Sequence, residues 1–161
     1  MKEKPKVPHI NARAETVHEL PLFREAFAKR RALVPATGFF EWQTRADGKQ
    51  PYRFVRSDMQ PFAFAGLWEF VRVGGEDLLS TAIIVGEPNP LVGGIHDRMP
   101  VMLMPDDYDR WLDPGTGVED LRALLRPYNA NLMKAYEVSR VVNSVKNDTP
   151  ECVEPFSRRA Q

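Results

Sequence analysis

The sequence lacks several features that would each define a class of protein. It contains a single cysteine, Cys152, in 161 residues, so no disulfide can form within the chain. The first ten residues, MKEKPKVPHI, contain no apolar segment of the kind found in signal peptides. No apolar run approaches the roughly 20 residues that a membrane-spanning helix needs. We therefore predict a cytoplasmic protein with no membrane partner.

The charges show no excess of either sign. Lys plus Arg and Asp plus Glu each number 22, and the formal net charge is zero. A neutral chain argues against a surface that coats nucleic acid broadly, although local arginines can still make a narrow groove positive. The candidate arginines are Arg30, Arg31, Arg53, Arg56, Arg158 and Arg159.

The apolar share of 43% is sufficient for a hydrophobic core, and the length fits a single domain over residues 1–161. Residues 1–9 carry three lysines and two prolines without periodicity, so we expect a flexible lead-in there. No linker or internal repeat divides the remainder of the chain.

The middle of the chain predicts antiparallel sheet. Asp47-Gly48 marks one hairpin, and Gly74-Gly75 marks a second hairpin between residues 62–73 and 78–85. A short apolar strand is predicted at residues 101–104. Short amphipathic helices are predicted within residues 21–31, 106–111 and 117–128, and strand alternation returns in YEVSRVV at residues 136–142. These elements indicate the α+β class, with a mainly antiparallel sheet covered by a few short helices.

The sequence carries none of the common catalytic motifs. It has no P-loop, no GxSxG, no HExxH and no paired cysteines, and its three histidines lack the spacing of metal ligands. We therefore predict no metal and no cofactor. Polar side chains in unusual surroundings occur in three segments: NARAET at residues 11–16, GFFEW at 38–42 and IHDRMP at 95–100.

Glu41 in GFFEW stands between aromatic residues, and two interpretations stay open. In the first, Phe40 and Trp42 face the core of a half-buried strand while Glu41 faces water. In the second, Glu41 faces a cleft walled by Phe39 or other rings. Loss of water would then raise the pKa of the carboxyl group and make it a general acid or base near neutral pH.

His96 follows Gly93-Gly94, so we expect it on a glycine-hinged loop that enters the next strand. Loops on a rigid scaffold commonly present reactive imidazoles. The alternative is a surface histidine beside an ion pair of Asp97 with Arg98. Asn11 has a comparable alternative as an ordinary turn residue.

The three segments, in this order, resemble the signature segments of the SOS response-associated peptidase (SRAP) family. The resemblance extends from about Ile10 to Pro155 and includes the closing stretch SRVVNSVKNDTPECVEP. It implies a barrel-like SRAP sheet and a DNA-damage response protein that senses abasic sites in single-stranded DNA. Such proteins form a covalent protein-DNA crosslink through an N-terminal cysteine. The family is also credited with autoproteolytic peptidase activity and with lyase-type chemistry at abasic sites, so a protein that associates with the nucleoid upon damage is implied.

The resemblance also implies roles for individual residues. Asn11 matches the family's active-site amide, Glu41 its essential acid and His96 its active-site histidine. Arg13 and Arg98 match arginines near the path of the DNA. We add Phe40, Trp42 and Arg53 as candidate DNA-binding residues, because aromatic rings can stack on unpaired bases and a guanidinium can bind phosphate.

The chain departs from the family pattern in two places. Family members begin Met-Cys-Gly-Arg about sixty residues before the NARAET segment, whereas here Lys2 is the second residue and Asn11 follows closely. The nucleophilic cysteine segment is thus expected to be absent, and thiol-dependent crosslinking to be impaired, unless a separate polypeptide completes the site. The family's pair of threonines before the histidine is replaced by Val85-Gly86.

Two other functions remain open. One is a non-covalent single-stranded DNA-binding module that uses Tyr52, Arg53, Arg56 and the GFFEW rings, or an inactive fragment. The other is a hydrolase in which Glu41 and His96 act on water without any role for DNA. Whether the chain is an enzyme is therefore left undecided by its sequence.

Overall fold

The computed structural model describes residues 2–3 and 9–156, and its contacts group the chain into two compact units. The first unit comprises Met1–Pro35, Phe62–Glu87 and Arg98–Tyr128, and the second comprises Ala36–Pro61, Pro88–Asp97 and Asn129–Gln161. The prediction of a mainly antiparallel α+β fold with a few short helices is confirmed, and the larger, mixed sheet curls into a half-barrel. The single domain over residues 1–161 stays a prediction.

Within the described residues the regular elements are ten strands and four α-helices. The strands are β1 (Lys2–Glu3), β2 (Asn11–Arg13), β3 (Arg31–Ala36), β4 (Phe39–Arg45), β5 (Gly48–Arg56), β6 (Phe62–Val73), β7 (Glu76–Gly86), β8 (Met99–Pro100), β9 (Met102–Leu103) and β10 (Met133–Glu137). The helices are α1 (Arg24–Lys29), α2 (Pro90–Gly93), α3 (Tyr108–Leu112) and α4 (Val118–Leu124). Short 3-10 turns lie at Pro105–Asp107, Ala130–Leu132, Arg140–Asn143 and Pro150–Cys152.

The first unit is built around the hairpin of β6 and β7, which turns at Gly74 and Gly75. Both glycines have positive φ angles, of 60° and 91°, as the predicted hairpin requires. β2 runs parallel to β7 and β1 runs parallel to β6, so the sheet is mixed. Lys2–Glu3 are thus in a strand, and the rest of the predicted lead-in up to residue 8 lies outside the described residues.

The strand predicted at residues 101–104 is confined to β9, and β8 precedes it on a different partner. β8 pairs with β7, and β9 pairs with β6. Val101 lies between them: its N–H donates to the Ile84 carbonyl and its carbonyl accepts from the Ala65 N–H, both at 2.9 Å. The segment therefore inserts where β6 and β7 stop pairing with each other, a long-range arrangement that local pattern does not reveal.

The core of the first unit packs α1, α3 and α4 against the sheet. Phe27 and Trp111 meet edge to face, with ring centroids 5.9 Å apart. Arg31 is buried and donates to the Phe27 and Ala28 carbonyls at the end of α1, and to the carbonyls of Trp111 and Asp113. The guanidinium therefore satisfies the carbonyl groups that a helix C-terminus leaves without partners. Because its donors are used in this way, Arg31 is no longer a candidate for nucleic-acid contact.

The second unit contains a three-stranded antiparallel sheet in the order β10, β5, β4. The predicted Asp47-Gly48 hairpin joins β4 to β5, with Gly48 at φ 115°. Phe39 pairs with Phe54 in the register, and their rings stack at 5.1 Å with an interplanar angle of 13°. A methyl group at Gly38 would lie 2.8 Å from the Phe54 carbonyl oxygen, so this close approach of the two backbones requires glycine.

Two predicted elements have different bounds in the structure, and one helix was not predicted. The helix predicted within residues 21–31 is confined to α1, and Pro21 lies in the turn before it. β10 ends at Glu137 because the Ser139 hydroxyl accepts from the Val141 N–H at 3.3 Å and caps a 3-10 turn. α2 was not predicted, although Asn89-Pro90 carries the usual signals of a helix start.

None of the helices in the described part of the chain has the length and apolar character needed to span a membrane.

Candidate functional site

The candidate site of the second unit is built on β4. Side chains alternate along a strand, so Phe39 and Glu41 share one face, while Phe40 and Trp42 share the other. Phe39 is buried against Phe54, and the Glu41 side chain is only 18% exposed. The interpretation with Phe40 and Trp42 in the core and Glu41 in water is therefore wrong.

The structure brings Glu41 and His96 together. Glu41 Oε2 lies 3.8 Å from His96 Nε2, a distance that suits charge interaction but is too long for a hydrogen bond. The two residues are 55 positions apart in the sequence, and each belongs to a segment singled out from the pattern alone. An acid and an imidazole at this distance can exchange protons with a group placed between them.

Burial raises the pKa of the Glu41 carboxyl above its ordinary value of 4.5. The nearby His96 imidazole acts in the opposite direction, and the Asp97 carboxylate adds to the rise. The folded chain holds the Glu41 proton more tightly than the unfolded chain does. The protonated carboxyl therefore stabilises the folded chain at low pH. That contribution is lost as the pH rises through the raised pKa. The Glu41 carboxyl thus keeps its proton up to a higher pH than the carboxyl of an exposed glutamate does, and it can donate that proton there.

His96 lies on the loop that follows α2, as predicted, but the loop has no glycine hinge. Gly93 is the last residue of α2, and Gly94 has helical angles of φ −69° and ψ −10°. The His96 N–H donates to the Val92 carbonyl at 2.9 Å, which fixes the backbone of the loop against the helix. Its imidazole is 40% exposed, so solvent or a ligand can reach the ring.

Asp97 is a member of this cluster that sequence reasoning missed. Its Oδ1 lies 3.4 Å from His96 Nδ1, so each ring nitrogen of the histidine faces a carboxylate. Asp97 itself is highly exposed, with 90% of its side chain accessible, whereas Glu41 is largely buried. The imidazole thus stands between a buried acid and an acid in contact with solvent.

The opposite face of β4 carries the two other rings of GFFEW. The Phe40 and Trp42 rings lie 6.4 Å apart and are both partly exposed. The Trp42 indole N–H donates to Asn143 Oδ1 at 2.7 Å, which fixes the orientation of the ring. Asn143 gave no signal in the sequence, because its contact joins residues 101 positions apart.

Arg53 lies on the same face of the sheet, opposite Phe40 in the register. Its guanidinium donates to the Tyr136 hydroxyl at 2.9 Å, to Thr37 Oγ1 at 3.2 Å and to the Val153 carbonyl at 3.5 Å. A phosphate would therefore compete with internal acceptors for this side chain.

Asn11 and Arg13 lie on β2, within the first unit, and both side chains are exposed. The Asn11 and Arg13 side chains point to the same side of β2, because side chains alternate along a strand and the buried Ala12 lies between them. Arg98, in the same unit, bonds Glu15 of the NARAET segment. Burial alone would raise the pKa of Glu15, but hydrogen bonds from its own backbone N–H and from Arg98 outweigh burial and lower it.

Among the described residues no group of three or more His, Cys, Asp or Glu side chains is arranged to hold a metal ion. Cys152 is buried, and its thiol lies 3.7 Å from the Asn147 carbonyl oxygen.

Comparison with known proteins relates the chain to a single family. The family model described as SOS response associated peptidase (SRAP) matches residues 1–145. The chain is 45% identical over 149 residues to the abasic site processing protein YoqW of Bacillus subtilis (strain 168), and 44% identical over 149 residues to YoaM of the same organism. These matches cover 90% of this chain, and 66% and 65% of the two relatives.

A crystal structure of a protein from Bacteroides thetaiotaomicron superposes with a TM-score of 0.84 at 33% identity. The superposition covers 91% of this chain and 66% of that protein. The chain thus spans slightly less than two thirds of the length of each of these three proteins.

Removal of charged neighbours should move the pKa of Glu41 in predictable directions. We expect His96→Ala to raise it further, because the group that opposes the rise is lost, and Asp97→Asn to lower it. Carboxyl carbon shifts followed by NMR against pH, with Glu41 assigned through Glu41→Gln, measure both effects. Equal pKa values in all three proteins would show that these groups do not interact.

Proposed function

Since the chain belongs to the SOS response associated peptidase (SRAP) family, we propose that it acts in the DNA-damage response on abasic sites in single-stranded DNA. The similar proteins YoqW and YoaM are both named abasic site processing proteins, which supports this substrate. The observation that carries the proposal is the partly buried Glu41 carboxyl, with its raised pKa, beside the His96 imidazole.

Glu41 and His96 act as an acid-base pair on the abasic sugar. In its closed form the sugar is a cyclic hemiacetal, and opening it breaks the bond between C1′ and the ring oxygen. The neutral Glu41 carboxyl donates a proton to that oxygen, and His96 accepts the proton of the C1′ hydroxyl. The products are an aldehyde, a free C4′ hydroxyl, a Glu41 carboxylate and an imidazolium, so atoms and charge balance.

Three residues of the first unit complete the proposal. The Asn11 amide orients the aldehyde oxygen, and its convergence with Glu41 and His96 is part of the proposal. Arg13 and Arg98 guide the phosphates toward the site. Arg13 is the stronger of these two candidates, because Arg98 already bonds Glu15.

Thiol crosslinking by these 161 residues is impaired. Cys152 is the single cysteine of the sequence, and it is buried. A thiol that attacks an aldehyde must reach it as an accessible thiolate, which a buried sulfur cannot do. The crosslinking and autoproteolytic activities of the family would then depend on a nucleophile supplied from elsewhere, such as a complementing polypeptide.

Loss of the Glu41 proton should abolish most of the activity on the abasic sugar. The substrate is a single-stranded oligonucleotide with one abasic site, and an aminooxy probe traps the ring-opened aldehyde. We expect the chain to accelerate trapping, and Glu41→Gln to reduce that acceleration by about 100-fold or more, because general acid catalysis contributes about this much. A denaturing gel of the labelled oligonucleotide measures the rate.

The matched control is Glu76→Gln, which makes the same chemical change at an exposed strand position of the first unit. An oligonucleotide with a tetrahydrofuran in place of the abasic sugar controls for binding, because it cannot open. Equal rates for the wild type and Glu41→Gln would contradict the proposed role. A retarded band that resists denaturation would contradict the impairment of crosslinking.

A second function is favoured by the face of β4 opposite Glu41. Phe40 and Trp42 are partly exposed there, and Asn143 holds the Trp42 indole in place. Fixed rings with free faces stack on unpaired bases with little preference for sequence. We therefore propose non-covalent binding of single-stranded DNA on this face, independent of the chemistry at Glu41.

Trp42→Ala should weaken binding of an undamaged single-stranded oligonucleotide by about tenfold, because it removes one stacking surface. Glu41→Gln should leave that affinity unchanged. Fluorescence anisotropy at two or more salt concentrations measures both, with Phe70→Ala, an exposed ring of the first unit, as the control. An equal loss in Phe70→Ala and Trp42→Ala would show that this face has no special role.

A further inference from the structure

The backbone of His96 is held by a very short helix. The Ile95 and His96 N–H groups both donate to the Val92 carbonyl, at 2.8 and 2.9 Å. Val92 lies within α2, which has only four residues. A helix of this length does not form by itself, because a first turn fixes several backbone angles for few hydrogen bonds. The position of His96 therefore depends on whatever stabilises α2.

Asn89 stabilises α2 from its N-terminal end. Its Oδ1 accepts from the Val92 N–H at 3.0 Å, and its main-chain carbonyl accepts from the Gly93 N–H at 2.8 Å. Pro90 follows in the first position of the helix, where its fixed φ angle suits the turn. The two hydrogen bonds to Asn89 thus close the helical turn that contains Val92. The Val92 carbonyl in turn accepts from the His96 N–H.

The same side chain attaches the turn to the sheet of the second unit. Asn89 Nδ2 donates to Met133 Sδ at 3.3 Å, and Met133 is the first residue of β10. β10 pairs with β5, which pairs with β4 and so with the strand that carries Glu41. Asn89 is one of three buried polar or charged residues in the part of the chain that the structure describes, at 3% exposure. A buried amide in this position is costly unless its hydrogen bonds are made.

We propose that Asn89 is the positioning residue that sets the His96 imidazole beside the Glu41 carboxyl. It acts through His96 and touches no substrate. The effect of Asn89 on activity rests on the proposed function of Glu41 and His96. Its effect on the placement of the His96 imidazole beside the Glu41 carboxyl does not rest on that function.

The test compares Asn89→Ala with Asn89→Ser, which differ by one hydroxyl. Alanine removes the side-chain acceptor, whereas serine keeps an oxygen that caps a helix about as well as asparagine. We expect Asn89→Ala to raise the pKa of Glu41 in the same direction as His96→Ala, because the imidazole moves away. Adding His96→Ala to Asn89→Ala should then produce no further rise, and Asn89→Ser should restore the wild-type titration. The readout is the carboxyl carbon shift of Glu41 against pH in the full chain.

Asn129→Ala is the matched control. Asn129 also caps a turn of the second unit with its side chain, which accepts from the Asn131 N–H at 3.0 Å, but that turn does not lead to His96. This variant should leave the titration of Glu41 unchanged. If Asn89→Ala does not fold, Asn89→Gly replaces it, because glycine is tolerated at a helix start and also lacks the acceptor.

A folded Asn89→Ala or Asn89→Gly with the wild-type titration of Glu41 would overturn the proposal. So would an equal change in Asn129→Ala, which would indicate a general loss of structure. The aldehyde-trapping rate at saturating protein then separates the two proposals. A normal Glu41–His96 interaction without any trapping activity contradicts the proposed function alone. Loss of the interaction in Asn89→Ala, restored in Asn89→Ser, supports the positioning role whatever the substrate is.

Discussion

The stacking of Phe39 on Phe54 determines which way every side chain of β4 points. Because Phe39 and Phe54 are buried against each other, only one face of β4 can point toward them. Glu41 lies two residues after Phe39 and so has its side chain on that same face. Gly38 allows the two backbones to approach closely enough for the stack to form. A slip of one residue would carry Glu41 to the other face and bring Phe40 and Trp42 into its place. The loss of water around Glu41, its raised pKa and its meeting with His96 all follow from this register.

Much of the fold could be predicted from local pattern. The hairpins at Asp47-Gly48 and Gly74-Gly75 were predicted correctly, because positive φ angles at glycine are a local requirement. The segment around Val101 was not, because it divides between two strands that lie far away in the sequence. α2 was missed although Asn89-Pro90 signals a helix start, since four residues are too few to show a helical period.

The candidate site could be predicted in part. The sequence left two interpretations of Glu41 open, and the structure agrees with the one that places it beside Phe39, because the two side chains share one face of β4 and Glu41 is only 18% exposed. Phe40 and Trp42, which the other interpretation placed in the core, lie on the opposite face and are partly exposed. Asp97 beside His96 and Asn143 beside Trp42 were missed, because neither contact has a signal in the sequence. The resemblance of three separated motifs supplied what spacing could not, namely the expectation that Glu41 and His96 lie together, and the structure places them 3.8 Å apart.

The family relation and the geometry explain different parts of the function. Membership of the SRAP family supports the substrate, an abasic site in DNA, whereas the Glu41–His96 pair supports a mechanism for acting on it. The proposed mechanism uses no thiol, and Cys152 is buried. The proposed acid-base chemistry and the proposed base stacking use opposite faces of β4, so substitutions on one face test one proposal without removing the other.

The most direct test of this account is a double-mutant cycle on Glu41 and His96. The rate of aldehyde trapping at an abasic site, at saturating protein, is measured for Glu41→Gln, His96→Ala and the protein carrying both changes. If the two residues act as one acid-base pair, the double variant is no slower than the slower single variant. Losses that multiply in the double variant would show that the two residues act independently and would contradict the account.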